Sequence, residues 1–319
     1  MSLTTDSKTN FFNNPIVVIF GALLCCALWG SATPFIKLGY QVIFVGAKPS
    51  VPSTILFAGI RFFFAGVITI LIYSIARRKF LVPKLENTPK IALVSLFQTI
   101  VQYFFFYVGL ANTSGAKGTI ISGSSSFFAI LISSLIFKQE KLTPKKIIAC
   151  IIGFIGIIAV NLNGLDFNMN IEGDLFVLLS AVSLGISSVL IKIFSKDEDP
   201  VVISGYQFIL GGAVMVVGGL LMGGRFDSFD LSALSILAYL SLLSAVAYAL
   251  WGVLLKHNAV SKVTIFSFMT PVFGVILTKL ILPAESNVDP IALVVSLLLV
   301  SLGVFLLNYA PKPKESDTK

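Results

Sequence analysis

The chain has 319 residues, of which 56% are hydrophobic and only 12% charged, with 28 Phe and a mean hydropathy of +0.95. A water-soluble domain of this length cannot hide that much apolar surface, so the composition excludes a soluble globular protein and points to a polytopic membrane protein. The formal net charge of +8 follows from which loops carry the cations and from anionic lipid on one leaflet, so nucleic-acid binding is not needed to explain it.

Residues 1–14 are polar and lack a charged start followed by a small-residue cleavage site, so no removable signal peptide is expected. Ten apolar runs follow, near residues 16–40, 54–75, 91–110, 117–137, 146–162, 174–194, 201–222, 231–255, 263–282 and 290–308. Each approaches the roughly 20 residues with which a helix crosses a bilayer. The connections are too short to hold a catalytic domain. Cys25, Cys26 and Cys150 sit in apolar runs without the spacing of a disulfide framework or a zinc site. If residue 1 lies in the cytoplasm, 17 of the 23 Lys and Arg fall on that side. Three (Lys48, Lys117, Arg225) fall on the other side and three (Lys37, Arg61, Lys279) within spans. Cytoplasmic loops collect cations, so both termini are expected in the cytoplasm.

The chain repeats itself. TIISGSSSFFAILISSLIFKQEKLT from Thr119 returns as VTIFSFMTPVFGVILTKLILPAE from Val263, pairing Tyr103 with Tyr248, Thr119 with Thr264, Phe128 with Phe273 and Glu140 with Glu285, all at an offset of 145. Gly30 and Lys37 likewise pair with Gly185 and Lys192, Gly59 and Phe62 with Gly205 and Phe208, and Asn161 with Asn308. Five spans per copy is an odd number, so the second copy is inverted, and Glu140 and Glu285 are expected on opposite faces. The fold expected is an all-α membrane protein of two inverted five-helix repeats, 15–163 and 172–308, between tails 1–14 and 309–319. Inverted repeats around a central site are how secondary transporters are built.

The motifs ALWGSATPFIKLG from Ala27, GIRFFFAG from Gly59, Lys141-Leu142-Thr143 after Glu140 with GFIGIIAV from Gly153, and the Pro271–Glu285 segment resemble the EamA type of the drug/metabolite transporter superfamily. The resemblance runs from Pro15 to Asn308. It implies a multi-pass plasma-membrane protein that exports amino acids or related small metabolites, with import or nucleotide-sugar exchange as the alternative. The first copy has Ser126 where the second has Pro271, so a proline break is expected in one of the two related helices.

The residues also point to a site without the family. In the eighth span Ser241, Ser244, Tyr248 and Trp251 fall within about 80° of one helical face, and Leu96, Thr99, Tyr103 and Phe106 repeat that stripe in the third, joined by Gln102. Such stripes are disfavoured against lipid, and aromatic walls with a few polar groups suit a small-molecule cavity. Helix packing is the alternative, because Ser, Thr and Gln also bond between helices. Trp29 lies near Pro34, which frees a backbone carbonyl in the first span, either to line a path or only to kink. The serines around Gly123 and the glycines Gly153, Gly156, Gly211, Gly212, Gly219 and Gly223 are expected to let helices approach closely, with a homodimer through the glycines left open.

Lys37, Lys192 and Lys279 sit near span ends and are expected to snorkel. Arg61 lies about eight residues, roughly 12 Å, into the second span, and its counterpart is the uncharged Gln207. It either holds a carboxylate or phosphate, with Lys37 nearby, or is satisfied by helix-end carbonyls and headgroups. The expected substrate-binding set is Trp29, Arg61, Thr99, Gln102, Tyr103, Phe106, Gln207, Ser244, Tyr248 and Trp251. All 15 acidic residues map to loops, termini or span ends, so no buried carboxylate relay is expected and transport runs down a gradient or by exchange. No nucleotide-binding loop, metal cluster or activated nucleophile is present, so no cofactor and no enzyme activity are expected. A membrane scaffold without transport is a third reading, disfavoured by the short loops.

Overall fold

A computed structural model describes residues 11–44, 49–113, 115–162, 170–283 and 289–308. Glu285 and Lys48, whose sides were expected from the sequence, lie outside them, as do 1–10 and 309–319 of the expected tails. Ten helices are long and apolar enough to span: α1 Pro15–Ile43, α2 Val51–Ala76, α3 Leu85–Ala111, α4 Lys117–Ile136, α5 Pro144–Asn161, α6 Ile171–Phe194, α7 Pro200–Leu221, α8 Leu231–His257, α9 Val260–Ile281 and α10 Pro290–Asn308. Most begin at a polar cap that ends the preceding loop: the Asn14, Asn170 and Asp230 side chains accept from the backbone N–H of Ile16, Gly173 and Ala233 at 2.9, 3.0 and 2.8 Å. Residues such as Phe20, Phe64, Leu221 and Leu298 are exposed on the outer faces, as a lipid solvent requires.

Helix contacts obey the repeat. α2 packs on its own counterpart α7, and α5 on α10. α1 packs on α8 and α9, while α6 packs on α3 and α4. The match extends to single residues. A Cβ added at Gly30 would meet Phe273 Cβ at 2.6 Å and Gly274 N at 2.8 Å; one at its counterpart Gly185 would meet Phe128 Cβ at 3.0 Å and Ala129 N at 2.9 Å. A Cβ at Gly156 would lie 3.1 Å from the Ser296 carbonyl oxygen, and one at Gly303 2.7 Å from the Ala149 carbonyl oxygen. Glycine is used where backbones touch. Gly153, Gly156, Gly211, Gly212 and Gly219 all meet helices of the same chain.

Two expectations change. The break expected at Pro271 alone is present in both related helices. α9 tightens to a 3-10 turn over Ile265–Phe268, and α4 is interrupted at Ser124, whose hydroxyl bonds the Ile121 carbonyl at 2.5 Å. A serine hydroxyl competing for the backbone replaces the proline. Lys192 does not snorkel: its Nζ donates to the carbonyls of Asn258 at 2.6 Å and Lys256 at 3.2 Å, capping the end of α8.

With ten spans, Pro15 and Asn308 lie on one face, and that face is tied together. The α2–α3 segment meets the α6–α7 loop through Lys90–Asp197 at 2.5 Å, Lys84 N–Glu198 at 2.9 Å and Arg77–Asp199 at 2.8 Å. Glu140, after α4, takes the Lys146 ammonium at 2.6 Å, the Ser261 backbone N–H at 3.0 Å and the Ser261 hydroxyl, joining the first half to the start of α9. Burial pushes the Glu140 carboxyl up, but the bonds from Lys146 and Ser261 outweigh it and hold it below its ordinary value. An acid with a depressed folded value stabilises above the ordinary glutamate range, and that contribution is lost as pH falls through the lowered value.

Glu140→Gln should therefore cost about 1–3 kcal/mol near neutral pH, seen as a lower Tm in detergent, and the gap to the parent should shrink as pH drops below about 4. A gap independent of pH would contradict this clasp. Gly156→Val and Gly303→Val should each destabilise by about 1–3 kcal/mol, whereas Gly218→Ala, with nothing within 4 Å of its added carbon, should leave Tm unchanged.

Candidate functional site

At the centre, residues meet their own repeat counterparts. The Phe62 and Phe208 rings stack with centroids 5.0 Å apart and planes 9° from parallel. The Tyr103 and Tyr248 hydroxyls bond at 2.9 Å. Phe62 lies 4.4 Å from Tyr103, and Phe208 lies 4.8 Å from Tyr248, between ring centroids. Two copies related by a twofold axis can touch at equivalent residues only near that axis, so the pseudo-dyad runs through this four-ring cluster.

A second symmetric pair flanks it. Arg61 donates from Nε and Nη2 to Ser244 Oγ at 3.1 and 2.9 Å. Thr99, the counterpart of Ser244, donates to the Oε1 of Gln207, the counterpart of Arg61, at 2.7 Å. This corrects the expected site: Thr99 bonds the Gln207 side-chain carbonyl oxygen between α3 and α7, outside the cavity, leaving Gln207 Nε2 without a partner among the described residues, and Ser244 holds Arg61 rather than forming wall. The uniform 100° step failed here because Leu96–Val101 is a π-helical turn, which rotates Thr99 relative to Tyr103.

Beside the cluster lies a cavity of about 440 Å³. Trp29, Arg61, Gln102, Tyr103, Phe106, Tyr248 and Trp251, from the expected set, line it. Trp29 is its hub, with ring centroids 4.9 Å from both Tyr248 and Trp251. Other wall residues lay outside that set. Lys37 lines the cavity instead of snorkelling, Gln98 joins Gln102 one turn away, and Ser180, Ser188, Ser267 and Thr270 complete the polar part. Gln98 was legible as the i, i+4 partner of Gln102, and Lys37 as a companion of Arg61 beside its snorkelling reading, but nothing in the sequence turned α6 inward. Trp29 Nε1, Gln98 Oε1, Gln102 Oε1, Ser122 Oγ and Thr270 Oγ1 are buried without a partner among the described residues. Each such group costs about 1–3 kcal/mol unless water or a solute satisfies it, and five of the twelve such atoms among the described residues surround this one space, which makes it the candidate binding volume. The charged residues that line it are Lys37 and Arg61; no Asp or Glu among the described residues does.

The cavity reaches Lys37, Leu110, Gly118 and Thr119, near the face opposite Pro15. Toward the other face it is closed by Ser126, whose hydroxyl bonds the Thr264 carbonyl at 2.8 Å and the Ser267 hydroxyl, above the buried Phe266 and Phe268.

Comparison with known proteins agrees with this architecture. An uncharacterized transporter of Synechocystis is 25% identical, covering 79% of this chain and 81% of the relative. An uncharacterized transporter of Archaeoglobus fulgidus is 24% identical over 89% of this chain and 96% of its own length. A chloroplastic WAT1-related protein of Arabidopsis thaliana is 24% identical, covering 69% of this chain and 54% of that protein. A solved crystal structure superposes with a TM-score of 0.75 at 17% identity, covering 91% of this chain and 96% of the other, which is a likeness of fold. The profile of the EamA-like transporter family matches twice, over residues 16–162 and again over 171–309. A duplicated match of that extent, on ten membrane-spanning helices around a lined cavity, makes this multi-pass membrane protein a member of the EamA-like transporter family.

Proposed function

We propose that the chain is a secondary transporter of the plasma membrane that moves small metabolites outward by alternating access, with amino acids and related compounds the first class to test. The observation that carries this reading is that the contacts nearest the pseudo-dyad map onto one another under the repeat, whereas the Ser126 closure of the cavity has no counterpart. Exchanging the conformations of two inverted copies generates a form open to the other side, with every contact transferred to its repeat counterpart. Tyr103–Tyr248, Phe62–Phe208, the Arg61–Ser244 and Gln207–Thr99 pairs and the Gly30 and Gly185 contacts all map onto themselves, so they persist. The Ser126 bonds to Thr264 and Ser267 map onto Pro271, Thr119 and Ser122. They must break, and Pro271 has no hydroxyl to remake them. With the termini in the cytoplasm, as the Lys and Arg distribution supports, the resting form opens outward, held by the Ser126 bonds together with the Glu140–Ser261 bonds on the same face. The outward direction of transport rests on the family resemblance.

Counterflow of radiolabelled amino acids in proteoliposomes tests the reading. Tyr248→Ala and Trp29→Ala should each reduce exchange at least tenfold, and a panel of amino acids, nucleotide sugars and other metabolites without any counterflow would sink it. The bias is tested by labelling Leu110→Cys with a membrane-impermeant maleimide. Ser126→Ala, which removes the closure, and Pro271→Ser, which supplies the missing hydroxyl, should each lower outside labelling about fivefold, the equivalent of roughly 1 kcal/mol. Unchanged labelling in both variants would exclude the latch.

A further inference from the structure

We propose that the cavity selects solutes of net negative charge, organic monoanions with a flat apolar body, and that Arg61 supplies their counter-charge. The proposal rests on the transporter reading and adds the class of substrate.

Arg61 is 3% exposed. A guanidinium has five N–H donors and a fixed positive charge. The described residues give it one neutral oxygen, Ser244 Oγ, whose own proton is committed to the Leu240 carbonyl at 2.8 Å, and the face of Phe62, 5.0 Å from Cζ. Among the described residues no carboxylate pairs with Arg61. A buried cation without an anion is strongly disfavoured, so its presence needs a reason beyond packing.

The second copy excludes packing as that reason. Gln207 occupies the equivalent position, is fully buried, and makes the equivalent contact with Thr99 as a neutral amide. The helix contact therefore needs a hydrogen bond and no charge. What Arg61 has that Gln207 lacks is charge, and Arg61 lines the cavity whereas Gln207 does not. Lys37, which has an interaction partner of its own, also lines this wall, and no Asp or Glu among the described residues lines it. An ammonium group on the solute would enter an already cationic volume, while a carboxylate would neutralise part of it. Trp29, Phe106, Tyr248 and Trp251 supply the faces for an apolar body. Because the Arg61–Ser244 and Gln207–Thr99 contacts map onto each other, the guanidinium keeps its Ser244 hydrogen bond, and its uncompensated charge, whichever side is open.

The chain has two tryptophans, Trp29 and Trp251, and both line the cavity, so intrinsic fluorescence in lipid nanodiscs reads occupancy directly. Three probes share a phenyl ring and a short chain: 3-phenylpropionate, an anion; phenylalanine, a zwitterion; and phenethylamine, a cation. In the parent, 3-phenylpropionate should bind at least tenfold more tightly than phenylalanine, with no saturable response to phenethylamine. Arg61→Gln, which installs the side chain of the other copy, should bring anion and zwitterion within about threefold, and Arg61→Lys should retain the preference. Tm of each variant in detergent checks that it is folded. Equal or tighter binding of phenylalanine by the parent overturns the anion preference, and an undiminished preference in folded Arg61→Gln overturns the role of Arg61. A parent that responds to none of the three overturns the substrate class. Counterflow of a different solute would in that case leave the transporter reading standing.

Discussion

Two identical constraints applied in opposite directions shape this protein: each five-helix copy must satisfy its polar groups without water, and the copies must meet along a twofold axis in the membrane plane. The axis runs through Phe62, Phe208, Tyr103 and Tyr248, each of which touches its own counterpart. Contacts of this kind are self-symmetric. They hold the halves together while leaving free a relative motion that changes only contacts present once.

The bilayer explains where the remaining polarity lies. Many hydroxyls bond one turn back along their own helix, as Thr69 does to the Ala65 carbonyl at 2.7 Å and Ser241 to the Leu237 carbonyl at 2.7 Å. Such groups are locally satisfied and say little about function. Of the groups that do not close this way, the indole of Trp29 and the amides of Gln98 and Gln102 share one cavity. The distinction is between polar atoms that fold consumes and polar atoms left for something else.

Departures from symmetry carry the individuality of the chain. Gln207 and Arg61 do the same structural work with different charge, and Ser126 and Pro271 occupy equivalent places with and without a hydroxyl. The first difference gives the cavity its sign; the second closes it on one side. A perfectly duplicated sequence would have neither.

The sequence by itself determined the ten spans, the inverted duplication and the aromatic stripe of Tyr103, Phe106, Tyr248 and Trp251. Span length and an offset of 145 are one-dimensional quantities, and hydrophobic length in a bilayer leaves few alternatives. Only the tertiary structure decided that Thr99 leaves the face it was expected to share with that stripe, because the π-helical turn at Leu96–Val101 breaks the even rotation from which a face is read. Likewise only the fold brought α6 to the wall, decided between the two readings of Lys37, and joined Arg61 to Ser244, 183 residues apart. Partners at such separations are chosen by how helices cross, which local spacing does not encode.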